Sequence, residues 1–223
     1  SYRRLVFDEI CANFITLSKN RARVKSNKLE KLFNGLLSKK VEKFLPFKLT
    51  GGQINALKEI NEDLRSNKRM FRILQGDVGS GKTIISLLSI ANVIESGYQC
   101  ALMGPTEILT SQHFNFAQKI FDKKKIKIEF LSSKTETTKR NKILKELKDG
   151  KIDLLIGTHS LFQKKIKFKK LGYVVIDEQH KFGVKQRLEL AKKGGKNCDL
   201  LLMSATPIPR TMMMSLYGDM DVS

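Results

Sequence analysis

The residues Gly76-Asp77-Val78-Gly79-Ser80-Gly81-Lys82-Thr83 satisfy the pattern G-x-x-x-x-G-K-[ST] at every specified position. A loop of this kind cradles phosphate. Glycine lacks a Cβ, so the backbone can turn tightly and bring its N–H groups close to an anion. The N-terminus of a following helix adds partial positive charge. Lys82 would reach the β- and γ-phosphates of a nucleoside triphosphate, and the Thr83 hydroxyl would hold Mg²⁺. A second stretch, Val174-Val175-Ile176-Asp177-Glu178, is an apolar run that ends in two acids, as a buried central strand would. Beside a phosphate loop, Asp177 is expected to hold the metal, through water, and Glu178 to polarise the attacking water. Lys82, Asp177 and Glu178 are therefore the candidate catalytic residues, and Thr83 and Asp177 the candidate metal ligands.

Such chemistry needs a strand before the loop and a helix after it. Residues 71–75 form an apolar run that reads as a strand, and residues 82–96 read as a helix. Further strands are expected over 100–103, 126–131, 154–156, 173–176 and 200–203, and helices over 107–121, 137–149 and 184–191. This alternation predicts an α/β fold with a mostly parallel sheet and helices on both faces. In such sheets ligands sit at the carboxyl ends of the strands. Upstream, Thr50 is a plausible N-cap for a helix carrying Ile54, Leu57, Ile60 and Leu64. Leu5, Val6, Ile10, Phe14 and Leu17 recur at helical spacing. Pro46 punctuates the chain, so residues 1–45 are expected to form a basic helical connector and residues 46–223 the main domain.

The chain has 223 residues and a net charge of +20, which favours a polyanionic partner such as nucleic acid bound in a salt-dependent way. Lysine outnumbers arginine about threefold, a bias that genome base composition alone can produce. The lysine runs over 123–127 and 164–170 lie in no motif and read as solvated surface. Three cysteines, Cys11, Cys100 and Cys198, form no C-x-x-C pair, which argues against a disulfide framework or a zinc site and for a reducing compartment. The chain opens on no signal peptide, and no apolar run is long enough to span a bilayer. A start at Ser1 and an end at Val222-Ser223 suggest a piece of a longer protein.

Taken together, these motifs resemble the core of superfamily 2 helicases. Phe47-Lys48-Leu49-Thr50-Gly51-Gly52-Gln53 is similar to the Q-type adenine motif, and Gly104-Pro105-Thr106-Glu107-Ile108-Leu109 with Gln112-His113 to motif Ia. Gly157-Thr158-His159-Ser160-Leu161-Phe162 resembles motif Ib, Asp177-Glu178-Gln179-His180 motif II, and Ser204-Ala205-Thr206-Pro207-Ile208-Pro209-Arg210-Thr211 motif III. The set, with Phe182-Gly183-Val184-Lys185-Gln186-Arg187 after motif II, resembles the RecG family of bacterial ATP-dependent DNA helicases over almost the whole chain. Departures are small: Gly52 and Gly104 stand where alanine is common, and Ser204 where threonine is.

The resemblance implies a RecA-like ATP-binding lobe with ATP and Mg²⁺ as cofactors. It implies that Gln53 recognises adenine and that Phe47 packs near the base. Thr106, Thr158 and His159 would lie along a DNA backbone, while Gln179, His180, Thr206 and Arg210 would couple nucleotide state to DNA grip. It implies a bacterial cytoplasmic protein, close to the nucleoid, that remodels forks and junctions in DNA repair and recombination. Its partners would be branched DNA, a second RecA-like lobe carrying an arginine finger, and a wedge domain. The isolated lobe is then expected to bind ATP·Mg²⁺ weakly and turn it over very slowly. Two alternatives remain open on the sequence: an Mfd-like transcription-repair coupling translocase, from which Ser80 and Gln179 depart, and a nucleotide-binding interaction module without motor activity.

Overall fold

The computed structural model describes residues 27–121, 126–178, 193–206 and 221–223. Helices α1 (Leu36–Glu42) and α2 (Gly51–Arg65) lead into strand β1 (Phe71–Gln75), helix α3 (Lys82–Glu95), strand β2 (Gln99–Met103) and helix α4 (Glu107–Phe121). Strand β3 (Ile128–Leu131), helix α5 (Thr137–Asp149), strand β4 (Leu154–Gly157), strand β5 (Leu171–Ile176), strand β6 (Asp199–Ser204) and strand β7 (Asp221–Val222) follow. The strands form one sheet in the order β3-β4-β2-β5-β6-β1-β7, and every pairing is parallel.

Alternation along each strand explains the layers, because successive side chains point to opposite faces. Leu74, Cys100, Leu102, Leu154, Ile156, Tyr173, Val175, Leu201 and Met203 pack on one face with α1, α2, α3 and α4. Ile73, Ala101, Met103, Leu155, Val174, Ile176, Leu200 and Leu202 pack on the other with Ile143 and Leu147 of α5. Strands apolar on both sides are what a doubly covered parallel sheet requires. Helix α3 is buried from Ile84 to Val93. It lies between the sheet and the outer helices α1 and α2, so even its small polar residues turn inward, and Ser89 Oγ meets Tyr173 Oη at 3.1 Å.

The expected strands and helices within the described residues are present, with ends displaced by one or two residues. Strand β3 begins at Ile128 rather than 126. The Lys127 N–H instead donates to the Asp153 carboxylate at 2.8 Å. Strand β7 goes beyond the expectation, since two residues are too short to show a period in the sequence. The predicted N-terminal helix, the helix over 184–191 and residues 123–125 lie outside the described residues.

Residues 27–45, placed by sequence on the connector side of position 46, pack against the same core as the main domain. Phe33 and Val41 are buried in the cluster around α3. The Glu95 carboxylate accepts from Asn34 N at 2.8 Å and Leu37 N at 2.9 Å. Deeper in, Lys28 Nζ and Lys31 Nζ both reach Asp199 Oδ2, at 2.6 and 2.5 Å, with all three side chains fully buried. Asp199 Oδ1 accepts from Met70 N at 2.6 Å. Burial pushes the Lys28 ammonium below the ordinary lysine value, and the Asp199 carboxylate pulls it partly back. Among the described residues no helix is long and apolar enough to cross a membrane.

Candidate nucleotide and DNA site

The chemical residues collect where the fold directs them, at the carboxyl ends of the strands. The phosphate loop follows β1, the Thr106 turn follows β2, Thr158 and His159 follow β4, the acid pair follows β5, and Ser204 to Thr206 close β6.

The phosphate loop enters α3 through Gly81, the helix N-cap, at φ 86°. Gly79 also has positive φ, 83°, a region that side chains other than glycine rarely adopt. A Cβ on Gly81 would also meet the amide end of the Gln53 side chain, which would have to move aside. Lys82 Nζ donates to the carbonyl oxygens of Gly76 at 2.5 Å and Asp77 at 2.8 Å. The ammonium thus stays at the mouth of its own loop, where an incoming phosphate would compete for it with two neutral acceptors. Val78 at the loop tip is 88% exposed.

Gln53 is positioned by a capping box. Thr50 N donates to Gln53 Oε1 at 2.9 Å, and Gln53 N donates to Thr50 Oγ1 at 3.3 Å. The amide nitrogen Nε2 then donates to the Ser80 carbonyl at 2.9 Å. Helix α2 itself is fixed to β1 by Arg72, which reaches Glu59 at 2.7 Å and Asp63 at 2.8 Å. Gln53 therefore braces the phosphate loop from the side. Among the described residues one amide proton and one oxygen lone pair stay uncommitted. Phe47 is 49% exposed, so its ring is open to stacking.

Asp177 is buried at the end of β5, and its N–H donates to the Met103 carbonyl at 2.8 Å. Its Oδ1 accepts from Glu178 N at 3.0 Å, and its Oδ2 takes a hydrogen bond from His113 Nε2 at 2.8 Å. Glu178 has φ 49°, a left-handed conformation that costs a non-glycine residue about 1–2 kcal/mol. Strain of this kind concentrates at functional sites. Here it turns the chain sharply as it leaves the strand.

Thr206 is tied to the phosphate loop's own strand. Gln75 Nε2 donates to the Thr206 carbonyl at 3.0 Å, Ser204 Oγ lies 3.2 Å from Thr206 Oγ1, and Gly76 N donates to the Ser204 carbonyl at 3.3 Å. Gln179, His180 and Arg210 lie outside the described residues. At the ends of β2 and β4, Thr106 and His159 are exposed and Thr158 is partly so. Gly104 N donates to the Gly157 carbonyl at 3.1 Å, which joins the Thr106 turn to the Thr158 turn. In the lysine run over 164–170, Lys164, Lys165 and Lys167 are exposed while Ile166 is buried, and Lys170 Nζ sits 4.1 Å from the centre of the Tyr98 ring.

Two side-chain roles are not legible in the sequence. The bond from Gln53 to Ser80 spans 27 positions, and that from His113 to Asp177 spans 64. No spacing rule connects residues so far apart. The sequence marks His113 as part of the motif Ia resemblance, on the helix that starts at the Thr106 turn, but not its partner.

The sequence model of the DEAD/DEAH box helicase family matches residues 50–215. The ATP-dependent DNA helicase RecG of Aquifex aeolicus is 45% identical over 225 residues, covering 100% of this chain and 28% of that protein. RecG of Thermotoga maritima is 46% identical over 221 residues, covering 99% of this chain and 28% of that protein. The structure of RecG bound to a three-way DNA junction matches with a TM-score of 0.85 at 42% identity, over 99% of this chain and 30% of that one. The helicase MrfA bound to DNA shares the fold, with a TM-score of 0.65 at 18% identity over 89% of this chain and 30% of that one. The chain spans about 28% of the length of the curated relatives it matches. These relatives favour the RecG resemblance over the Mfd alternative. The chain belongs to the DEAD/DEAH box helicase family, as a RecG-type first motor lobe.

Proposed function

We propose that this lobe binds ATP for a DNA helicase that remodels branched duplexes, regressing forks and migrating junctions in repair and recombination. The observation that carries the reading is the shared edge. The phosphate loop, the acid pair, the exposed Thr106 and His159 and the partly exposed Thr158 all follow carboxyl ends of one parallel sheet. ATP hydrolysis and strand contact can thus be coupled through one rigid body. Phosphate contacts made by Thr106, Thr158 and His159 would position DNA without reading its sequence. Residues 46–223 act as the ATP-binding lobe and residues 1–45 as the connector to a wedge domain, with 27–45 docked on the lobe. The setting is the bacterial cytoplasm.

In this reading Lys82 exchanges its two loop carbonyls for the β- and γ-phosphates. Glu178 accepts a proton from the attacking water, and Gln53 and Phe47 hold the base. The residues present suit Mg²⁺: Thr83 stands in the first turn of α3, and among the described residues each Asp177 oxygen accepts one hydrogen bond, which leaves a second lone pair to offer. What bound Mg²⁺ supplies is charge neutralisation on the β- and γ-phosphates. An arginine from a second lobe, whose absence can cost about 10³- to 10⁵-fold in rate, would complete the site.

The test is ATP hydrolysis by the full-length protein with forked, linear duplex and single-stranded DNA compared side by side. The account expects stimulation greatest with forked DNA, and only a trace of turnover by the isolated chain. Equal rates with and without every DNA would overturn the helicase reading. Robust, DNA-stimulated turnover by the isolated chain would overturn its dependence on a second lobe.

A further inference from the structure

We propose that His113 is a positioning residue for ATP hydrolysis, holding the Asp177 carboxylate and tying it to the turn that faces DNA. The contact is direct: His113 Nε2 lies 2.8 Å from Asp177 Oδ2, and both side chains are 12% exposed. An ionised carboxylate only accepts, so Nε2 carries the proton. Because the other oxygen, Oδ1, accepts from Glu178 N, the carboxylate is gripped at both ends and its plane is fixed.

The other end of the link is Thr106. Its carbonyl and hydroxyl oxygens hold the first turn of α4, accepting from Thr110 N at 3.0 Å and Leu109 N at 3.3 Å. His113 lies seven positions later, about two helical turns or roughly 10 Å along the axis, on the same side as Thr106. Helix α4 is pinned to the core by Ala117, Ile120 and Phe121, so it moves as a rod. A shift of Thr106 on strand binding is delivered by His113 to the carboxylate that serves the nucleotide. Backbone bonds already join these parts, through Asp177 N to Met103 O and Gly104 N to Gly157 O. His113 adds the only side-chain hydrogen bond between α4 and the acid pair that is seen among the described residues.

This inference rests on the proposed ATP and DNA function, and its test separates the two. The full-length protein is compared with His113→Phe, which keeps the ring and loses the donor, and His113→Gln, which keeps a donor near Nε2. His113→Phe should lower the DNA-stimulated kcat by about 10- to 100-fold, the loss of a hydrogen bond to a charged group, while KM for ATP and the melting temperature change little. His113→Gln should stay within about threefold of wild type. Wild-type kcat in His113→Phe, or an equal loss in both variants, would refute the role of the donor. A wild-type protein indifferent to DNA would instead refute the function proposed above, and the ratio of basal kcat in the two variants would still judge His113. A readout independent of turnover is the nitrogen NMR spectrum of histidine-labelled protein. The His113 Nε2–H tautomer, perturbed by Asp177→Ala, supports the proposal; the Nδ1–H tautomer overturns it whatever the rates.

Discussion

At the carboxyl edge of the sheet, Lys82 lies partly exposed and donates to two carbonyls of its own loop. At the amino edge, Lys28 and Lys31 are fully buried and share one oxygen of Asp199, the first residue of β6. The first lysine is held weakly enough to exchange partners, as a phosphate ligand must. The other two are held by charge inside a low-dielectric interior, where exchange would leave an unpaired ion. The same residue type thus anchors residues 27–45 at one edge and, in the function proposed above, binds phosphate at the other. The difference lies in burial rather than in charge.

That contrast can be broken most forcefully at Asp199. Asp199→Ala strands two buried ammonium groups and the Met70 N–H, and should cost about 3–5 kcal/mol in urea unfolding. Replacing all three charges at once, as Lys28→Met, Lys31→Met and Asp199→Leu, should recover most of that loss, because a buried ion trio is often no better than apolar packing. A loss as large in the triple variant as in Asp199→Ala would show that the charges themselves stabilise the fold. Next in size is Gln53→Ala, which removes half of a capping box and the brace on Ser80. It should cost about 1 kcal/mol of stability and weaken ATP binding as well, measured by calorimetric titration. Weaker binding with unchanged stability would place Gln53 on the base alone. Smallest is Lys82→Ala, whose partly exposed side chain bonds, among the described residues, only to its own loop, so its effect on unfolding should stay within about 0.5 kcal/mol.

Alkaline pH sharpens the comparison from the buried side. Burial raises the Cys198 thiol from its ordinary 9.0 to about 12, and raises Cys100 and Tyr173 as well. The Cys198 thiol is neutral when protonated, so its contribution to stability is whole below about pH 9 and is lost as pH rises towards 12. Lys28, with its lowered value, acts in the opposite sense over its own window. Unfolding midpoints under reducing conditions should therefore fall more steeply above pH 9 in the wild type than in Cys198→Ala. Parallel profiles would remove Cys198 as a cause.

The two regions also differ in how far sequence reveals them. The loop from Gly76 to Thr83 is legible because its chemistry is local: glycines, lysine and threonine must stand at fixed spacing to surround one phosphate. Asp177 and Glu178 are legible because a buried strand that ends in two acids is conspicuous. Strands β2, β4, β5 and β6 stand out as apolar runs of the right length, as β1 does. The node of Lys28, Lys31 and Asp199 joins residues 171 and 168 positions apart. In the sequence those lysines belong to the basic helical connector expected over residues 1–45. Only folding shows that they are inside, and so the line drawn at Pro46 divides residues that pack in one core. His113 is hidden for the same reason, since its partner is brought to it by sheet order.

The most direct test of the central claim separates binding from turnover in the full-length protein. ATP affinity and DNA-stimulated hydrolysis are measured together for wild type, Lys82→Ala and Glu178→Gln. The account predicts that Lys82→Ala loses binding and hydrolysis alike, whereas Glu178→Gln keeps ATP affinity within about threefold and loses about 10²- to 10⁴-fold in kcat, the worth of a general base. Hydrolysis by Glu178→Gln at the wild-type rate, or unchanged affinity in Lys82→Ala, would contradict it.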